Sequence, residues 1–417
     1  MWQTIRLGDV CTISSSKRIF AKEYQTEGIP FYRGKEVIEK HNGNKVSTEL
    51  FISPKRYEEI KGKYEVPKKG DILLTSVGTL GIPWLVDEDD FYFKDGNLTW
   101  LRCNTQILPS YLYLWLNSAE AQNQIDVKCI GSTQKALTIE TLNKFQITLP
   151  SLELQKKIVA VINPIESRIN INRSVNENLE QQAVVLFRSW FSAFSLSPNS
   201  HRVNSEFGEI PEDFTVIKVG SLPILVTDYV SNGSFASLKA NVSLYQEPNY
   251  AYFIRNTDLK SGSFGVFVDQ HSYEFLSKST LYGGEIIISN VGDVGSVFLC
   301  PKLDAHMTLG NNIIMLRPED DHLRYYLYIW FKYLQGQALI QGIKGGSAQP
   351  KFNKTDFKNT SILIPPKDIL SRFHETVAPM FEMISHRQTE TSRLANLRDT
   401  LLPHLMSGEI DVSKLDI

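Results

Sequence analysis

The stretches of this chain best suited to chemistry are two glycine-dense turns, Val77-Gly78-Thr79-Leu80-Gly81 and Val291-Gly292-Asp293-Val294-Gly295. Backbone amides in such turns cradle a phosphate when the turn opens a helix. Here each turn follows a strand pattern and leads into further β pattern, so hairpin turns are expected. Neither the phosphate-loop pattern nor a strand–GxGxxG–helix signature occurs. The eight histidines include no HExxH pair, and His404 falls at an expected helix end, where it is solvated. Asp87-Glu88-Asp89-Asp90 has the carboxylates for a metal ion, but it lies in a charged stretch without a counterpart and reads as a solvated turn. No GxSxG nucleophile elbow is present. Catalysis by this chain alone is not expected, which leaves its polar side chains to binding.

The elements that carry those side chains occur twice. Tyr111-Leu112-Tyr113-Leu114-Trp115 returns 215 residues on as Tyr326-Leu327-Tyr328-Ile329-Trp330. Gly131-Ser132-Thr133-Gln134 returns at the same offset as Gly346-Ser347-Ala348-Gln349, and Ile147-Thr148-Leu149-Pro150 as Ile362-Leu363-Ile364-Pro365. Gly70-Asp71-Ile72-Leu73-Leu74 pairs with Gly284-Glu285-Ile286-Ile287-Ile288, and Phe31-Tyr32-Arg33 with Phe253-Ile254-Arg255, at slightly different offsets. Insertions therefore concentrate in the outer part of each copy. The chain is a tandem duplication of a globular segment followed by a long helix.

The first long helix is expected over Leu152 to Phe191. Ile158, Ile162, Ile165, Ile169, Asn172, Asn176, Leu179, Ala183, Leu186 and Trp190 alternate spacings of four and three, the seam of a coiled coil. The second copy carries the same seam through Phe373, Val377, Met380, Ile384, Arg387, Thr391, Leu394, Arg398, Leu401 and Leu405. Both seams are apolar at their ends and polar in the middle. A pseudo-twofold pairing makes the helices antiparallel and brings Asn172 and Asn176 level with Arg387 and Thr391, a polar layer that fixes register. Pro164 and Pro379 repeat as well and should bend both helices. The expected fold class is α+β, with two similar α/β globular domains separated by two long helices in an antiparallel coiled coil. The boundaries read as a first domain over 1–150, a helix over 151–193 and a Ser/Pro/Asn-rich linker over 194–207. A second domain over 208–366, a helix over 367–410 and a tail over 411–417 complete the chain.

At 417 residues the chain exceeds one ordinary core. No apolar run approaches bilayer length, and the first residues lack a basic region followed by an apolar one, so neither a membrane span nor a secretory signal is expected. Cys11, Cys103, Cys129 and Cys300 have no metal-ligand spacing and fit free thiols of a cytoplasmic protein. A net charge of −2 argues against coating polyanions by bulk charge, though not against local basic faces.

Two similar domains at a fixed separation suit a ligand that itself repeats, and double-stranded DNA, whose grooves recur about every 34 Å, is the leading candidate. A helix of about 38 residues spans roughly 57 Å, enough to hold two readers apart. Arg, Lys, Asn and Gln serve base edges, while Lys, Ser and backbone amides serve phosphates. Such residues cluster at the repeat's loops: Arg33, Lys35, Ser76, Thr79, Asn97, Gln134 and Lys135, with Arg255, Asn256, Asn290, Asp293, Asn312, Gln349 and Lys351 as counterparts. Positions shared by both copies suit scaffold or phosphate contact, and base reading belongs where the copies differ. The basic stretch Lys55 to Lys69, without a clear equivalent, suits a solvated face or a DNA contact.

The order of elements, with Ile147-Thr148-Leu149-Pro150-Ser151-Leu152-Glu153-Leu154-Gln155, Gly208-Glu209-Ile210-Pro211 and Leu401-Leu402-Pro403-His404-Leu405-Met406-Ser407-Gly408-Glu409-Ile410, resembles the specificity subunit of type I restriction–modification systems over essentially the full length. The second copy departs from it at Pro365-Pro366-Lys367-Asp368-Ile369-Leu370, which lacks the glutamine of Gln155. The resemblance implies that each domain is a target-recognition domain for half of an interrupted site and that the helices set the unread spacer. It implies docking of two modification (methyltransferase) subunits on the helices' outer face, with Lys156, Lys157, Glu166, Arg168 and Glu180. Restriction (motor-nuclease) subunits join in that family. S-adenosylmethionine, ATP and Mg belong to the partners, and this chain is implied to carry no cofactor and no catalytic residue. The alternatives are the recognition subunit of a related system cutting beside its site, and a scaffold that binds only proteins.

Overall fold

A computed structural model describes residues 2–44, 46–87, 90–128, 136–346 and 349–415. Two compact units divide the chain: Met1–Ser174 with Glu390–Ile417, and Val175–Thr389. The division cuts each long helix rather than falling at its ends.

The first unit is built on a four-stranded antiparallel sheet in the order Cys11–Ser14, Leu98–Cys103, Ile72–Thr75, Pro83–Leu85. Ile72, Leu73, Leu74 and Thr75 are all buried because both sheet faces are covered. The strand's period of two sends Ile72 and Leu74 to one side, where they meet the helix Pro109–Leu116 through Tyr111 and Trp115. Leu73 goes to the other side, among Trp84, Phe93 and Trp100. A three-stranded sheet follows, with Ile29–Tyr32 antiparallel to Phe51–Ile52 and parallel to Tyr92–Phe93. Gln3–Arg6 pairs with Gln146–Leu149 just before the long helix.

The second unit repeats this plan. Its four-stranded sheet runs Ile224–Asp228, Ile313–Pro318, Ile286–Ser289, Val297–Leu299, the same order and sense. Ile286 and Ile288 face the helix His322–Lys332, and Ile287 faces away. Thr215–Lys218 pairs with Ser361–Ile364, as the first and last strands do in the first unit. Small bonds repeat too. Tyr111 donates to the Thr148 carbonyl at 3.2 Å, and Tyr326 donates to that of Leu363. Gln122 donates to the carbonyls of Gly81 and Leu116, and Gln337 to those of Gly295 and Phe331. The glycine-dense stretches are hairpin turns, each joining two antiparallel strands of the central sheet.

The first long helix spans Leu152–Phe191 and the second Lys367–Ser407. No expected seam position on either is exposed. In the first unit Ile158 and Ile162 pack with Leu402, Leu405 and Met406. Lys157 donates to the Ser413 carbonyl, Arg398 pairs with Glu166 at 3.0 Å, and Arg168 pairs with Glu390 at 2.9 Å. One set of numbers rises as the other falls, so the helices are antiparallel there. In the second unit Asn176 donates to the Ile384 carbonyl at 3.5 Å, while Phe187 and Trp190 stack edge-on against Phe373. The pairing is antiparallel there as well. Asn172 donates to Glu390, the neighbour of Thr391, and Ile384 lies one turn before Arg387. Both helices run through Pro164 and Pro379 without a break in the α-helical pattern.

Two expectations need correction. The stretch 194–207 is not simply a linker, because Arg202–Ser205 forms a hairpin with Gly208–Pro211. Phe194 and Phe207 pack on the second unit's core, with Phe194 edge-on to Phe214 and Arg202 over the Phe194 ring. Four of the five residues expected on the docking face also make bonds within the chain, and Lys156 is exposed. Glu166 and Arg168 hold the second helix, Lys157 bonds the Ser413 carbonyl beyond its end, and Glu180 accepts bonds from Tyr328, Lys332 and Tyr333.

Candidate nucleic-acid interface

In each unit the fold gathers loops that are distant in sequence. After strand Ile72–Thr75 the chain turns at Ser76, whose amide donates to the Asn97 carbonyl and whose carbonyl accepts from Leu137. Asn290 in the second unit bonds Asn312 and Phe352 in the same way. Val77 bridges Ala136, and Val291 bridges Lys351. The hairpin turn, the residue before the long strand and the returning loop thus share one place in both units.

The side chains at that place divide by role. Arg33 and Arg255 are each engaged within the chain. Each opens a helix, Gly34–His41 or Asn256–Ser261, and clasps the acid three residues on. Arg33 pairs with Glu36 at 2.9 Å and Arg255 with Asp258 at 2.7 Å, and the same carboxylates accept the arginines' own backbone amides. Each pairing raises the arginine's pKa, chiefly through the hydrogen bond to its carboxylate. Ser76 is also corrected: it is buried, and its hydroxyl lies 2.6 Å from that of Thr99. Burial on both faces of the strand continues one residue past its end, to Ser76.

Thr79, Lys35, Asn312, Gln349 and Lys351 are exposed. Lys35 lies 3.8 Å from Glu39. Asn312 holds a left-handed backbone, φ 65°, a conformation asparagine tolerates better than most side chains. Asn97 is half-buried and joins the frame through its carbonyl. Asn290 donates to the Phe352 carbonyl at 3.3 Å, and Asn256 donates to Asp293. Lys260 and Ser296 also hold Asp293. Burial alone would raise the pKa of Asp293, but Lys260, Ser296 and Asn256 outweigh it and hold the carboxyl below its ordinary range. Gln134 and Lys135 lie outside the described residues.

Topology supplies the equivalent of the basic stretch that sequence alone does not find. Helix Pro54–Lys63 follows the short strand Phe51–Ile52, which pairs antiparallel with Ile29–Tyr32. Helix Gln270–Phe275 follows Phe267–Val268, which pairs antiparallel with Ala251–Ile254. One fold position therefore carries two chemistries. On the first unit, Lys55, Lys63, Lys68 and Lys69 are exposed with no ion pair among the described residues. Nearby, Lys17 lies 4.6 Å over the exposed Tyr64 ring. On the second unit, Tyr273, Tyr250 and the exposed His306 form a cluster of three rings, with His306 at 5.2 and 4.9 Å from the two tyrosines and these 5.4 Å from each other. The sequence signal for this aromatic face was a tyrosine and a histidine at strand starts and a tyrosine in a short helix, too common a pattern to single out.

A family model described as the type I restriction modification DNA specificity domain matches residues 1–181 and again 226–386. The chain belongs to this family of specificity subunits. Its two matched segments correspond to the two copies of the repeat. Among curated relatives of this specificity subunit, the type I restriction enzyme MjaIX specificity subunit of Methanocaldococcus jannaschii is 27% identical over 435 residues, covering 99% of this chain and 94% of that one. The HindI specificity subunit of Haemophilus influenzae is 25% identical, covering 82% and 87%. The crystal structure of a type I restriction–modification S subunit from M. genitalium shares the fold, with a TM-score of 0.51 at 16% identity, covering 97% of this specificity subunit and 96% of that chain. Among the described residues no group of acids, histidines or cysteines could hold a metal ion, and no helix is long and apolar enough to cross a membrane.

Proposed function

We propose that this chain is the DNA-reading subunit of a type I restriction–modification complex, with each globular segment recognising one half of a bipartite site. The observation that carries this reading is the pairing of a repeated loop frame with unlike helices at the same fold position. The frame, with its arginine clasps and shared carbonyl bonds, holds each reader still, and the differing elements select different sequences. Lys55, Lys63, Lys68 and Lys69 offer phosphate contacts on the first unit. The cluster of Tyr250, His306 and Tyr273 on the second offers apolar and hydrogen-bonding surface to bases.

In this reading the segments 1–150 and 208–366 are the two target-recognition domains, and the long helices set the unread spacer. Asn172 and Thr391 in the first unit, and Asn176 and Arg387 in the second, are the polar seam positions that fix the helix register. Two modification subunits dock on the helices and carry the adenine methyltransferase chemistry with S-adenosylmethionine. Methylation requires the target base to leave the duplex, so this subunit positions the DNA while its partner reacts with it. Restriction subunits bring ATP and Mg. The chain itself works without a cofactor, in the cytoplasm, as a non-catalytic subunit.

The test is domain exchange in the assembled complex, read by sequencing the methylated sites. Replacing residues 1–150 with the corresponding segment of another family member should change one half-site and leave the other intact. A change in both halves contradicts separate readers. Absence of any bipartite footprint from the assembled complex favours the protein-only scaffold.

A further inference from the structure

A thiol pair in the first unit takes no part in the frame described above. Cys11 and Cys103 sit opposite one another on the antiparallel strands Cys11–Ser14 and Leu98–Cys103, and their Sγ atoms are 4.0 Å apart. The ladder decides what kind of pair this is. The Asn104 amide donates to the Val10 carbonyl at 2.9 Å, and these residues lie one step along the same register. Hydrogen-bonded and non-hydrogen-bonded pairs alternate along an antiparallel ladder, so Cys11 and Cys103 occupy a non-hydrogen-bonded pair. There the Cα atoms approach to about 4.5 Å and the side chains are closest. That separation falls within the span of a disulfide, about 4.4–6.8 Å.

We propose that Cys11 and Cys103 are a peroxide-sensitive thiol pair that closes to a cross-strand disulfide. Cys103 is partly exposed and Cys11 is buried, so the peroxide meets Cys103 first. The Cys103 thiol gives up its proton, its sulfur takes one peroxide oxygen as the O–O bond breaks, and the proton leaves with the other oxygen, giving a sulfenic acid and one water. The Cys11 sulfur then attacks that of Cys103, the S–O bond breaks, and the Cys11 proton leaves with the oxygen as a second water. In sum two thiols and one hydrogen peroxide become one disulfide and two waters. The Sγ atoms must close by about 2 Å to reach the bond length of about 2.05 Å, a side-chain rotation on strands already in register. The hydrogen bond to Cys103, then burial, raises the pKa of Cys11 and keeps it a thiol, so the first attack on peroxide falls to Cys103.

The second unit has Ile224 paired with Pro318 at the equivalent place, so the fold does not require thiols there. Closure would tie the chain's first strands to Leu98–Cys103 and enclose the hairpin turn and Asn97 within one covalent loop.

The experiment treats the full chain with hydrogen peroxide, then counts thiols after denaturation and maps cross-linked peptides. The four cysteines should fall to two titratable thiols, with a peptide joining Cys11 to Cys103 and an intact mass lighter by two hydrogens. The melting of the first unit should rise by several degrees and return on reduction. Cys103→Ser, at the more exposed position, should abolish the link, and Cys300→Ser should leave it in place. Four remaining thiols, a link through Cys129 or Cys300, or overoxidised Cys103 without a link would each overturn the proposal.

Discussion

Replacing Glu180 with alanine should loosen the second unit's grip on its length of the first long helix. One carboxylate oxygen of Glu180 accepts from Tyr328 at 2.8 Å, from Lys332 at 2.5 Å and from Tyr333 at 3.0 Å. Burial, then the carboxylate, raises the pKa of Tyr328 far above its ordinary value, so it remains a donor throughout the physiological range. Breaking a fully buried ion pair costs about 3–5 kcal/mol, because one charge is left without a partner. Here the Lys332 side chain is 31% exposed and can turn to water, whereas the buried Tyr328 hydroxyl cannot. A discounted figure of about 2–3 kcal/mol follows, of which the stranded tyrosine accounts for about 1–2. Glu180→Gln keeps an acceptor for the tyrosines and should cost about 1 kcal/mol. Native-state hydrogen exchange reads the difference in helix His322–Lys332, whose amides report local opening. Glu180→Ala should speed exchange there roughly 30- to 150-fold, since about 1.4 kcal/mol is a factor of ten. A change below twofold, or equal losses in the alanine and glutamine variants, would refute this account of the contact.

Tyr111→Phe and Tyr326→Phe should each cost about 1 kcal/mol, one in each unit, because each removes a repeated bond to a strand carbonyl. Calorimetry should show the two losses as similar. His41 is half-buried beside the Pro83 carbonyl, and loss of solvent lowers its pKa below the ordinary value. Its unfolded form therefore takes up a proton first, so first-unit stability should fall as pH drops below about 6.5, and His41→Gln should flatten that slope in thermal melts. Removing Lys55, Lys63, Lys68 and Lys69 should weaken DNA binding by the assembled complex across all sequences. The salt-dependence slope should shrink by about 0.9 for each lost phosphate contact. An unchanged slope would make the basic helix a solvated face. Inserting seven residues into each long helix adds about 10.5 Å, so the unread spacer should lengthen by about three base pairs with both half-sites unchanged. Methylome sequencing would show whether it does.

The duplicated fold was legible because its carriers are strong local patterns. Ile72-Leu73-Leu74 and Ile286-Ile287-Ile288 have to be central strands, and the Tyr-Leu-Tyr helices are apolar on nearly every face. The helix seam was legible for the same reason, and its antiparallel sense followed from the repeat. Side-chain duty at the candidate interface was less so. Arg33 and Arg255 have the right type for a base edge, yet their local geometry commits them to Glu36 and Asp258. The acid three residues after each arginine was a visible capping signal, outweighed by residue type. Ser76 lies one residue beyond its strand, where sequence does not say which face closes. The hairpin at Arg202–Ser205 was hidden because it is polar and anchored by Phe194 and Phe207 on either side. The equivalence of helices Pro54–Lys63 and Gln270–Phe275 rests on strand pairing alone, which no alignment of their residues suggests.

The first unit takes both ends of the chain, while the second is one uninterrupted run. A ribosome therefore releases everything the second unit needs before it finishes the first. Residues 390–417 supply Leu402, Leu405 and Met406 to a core that has waited for them since Ile158 and Ile162 emerged. Trp2 lies against Gly408, where even one added carbon would meet its ring, so the end of the second helix closes against the segment that leads into strand Gln3–Arg6. A nascent chain interrupted before that point would present a completed second reader beside a first one still exposing its apolar helix face. Early termination would thus produce a half-specific, aggregation-prone species rather than a shorter working subunit.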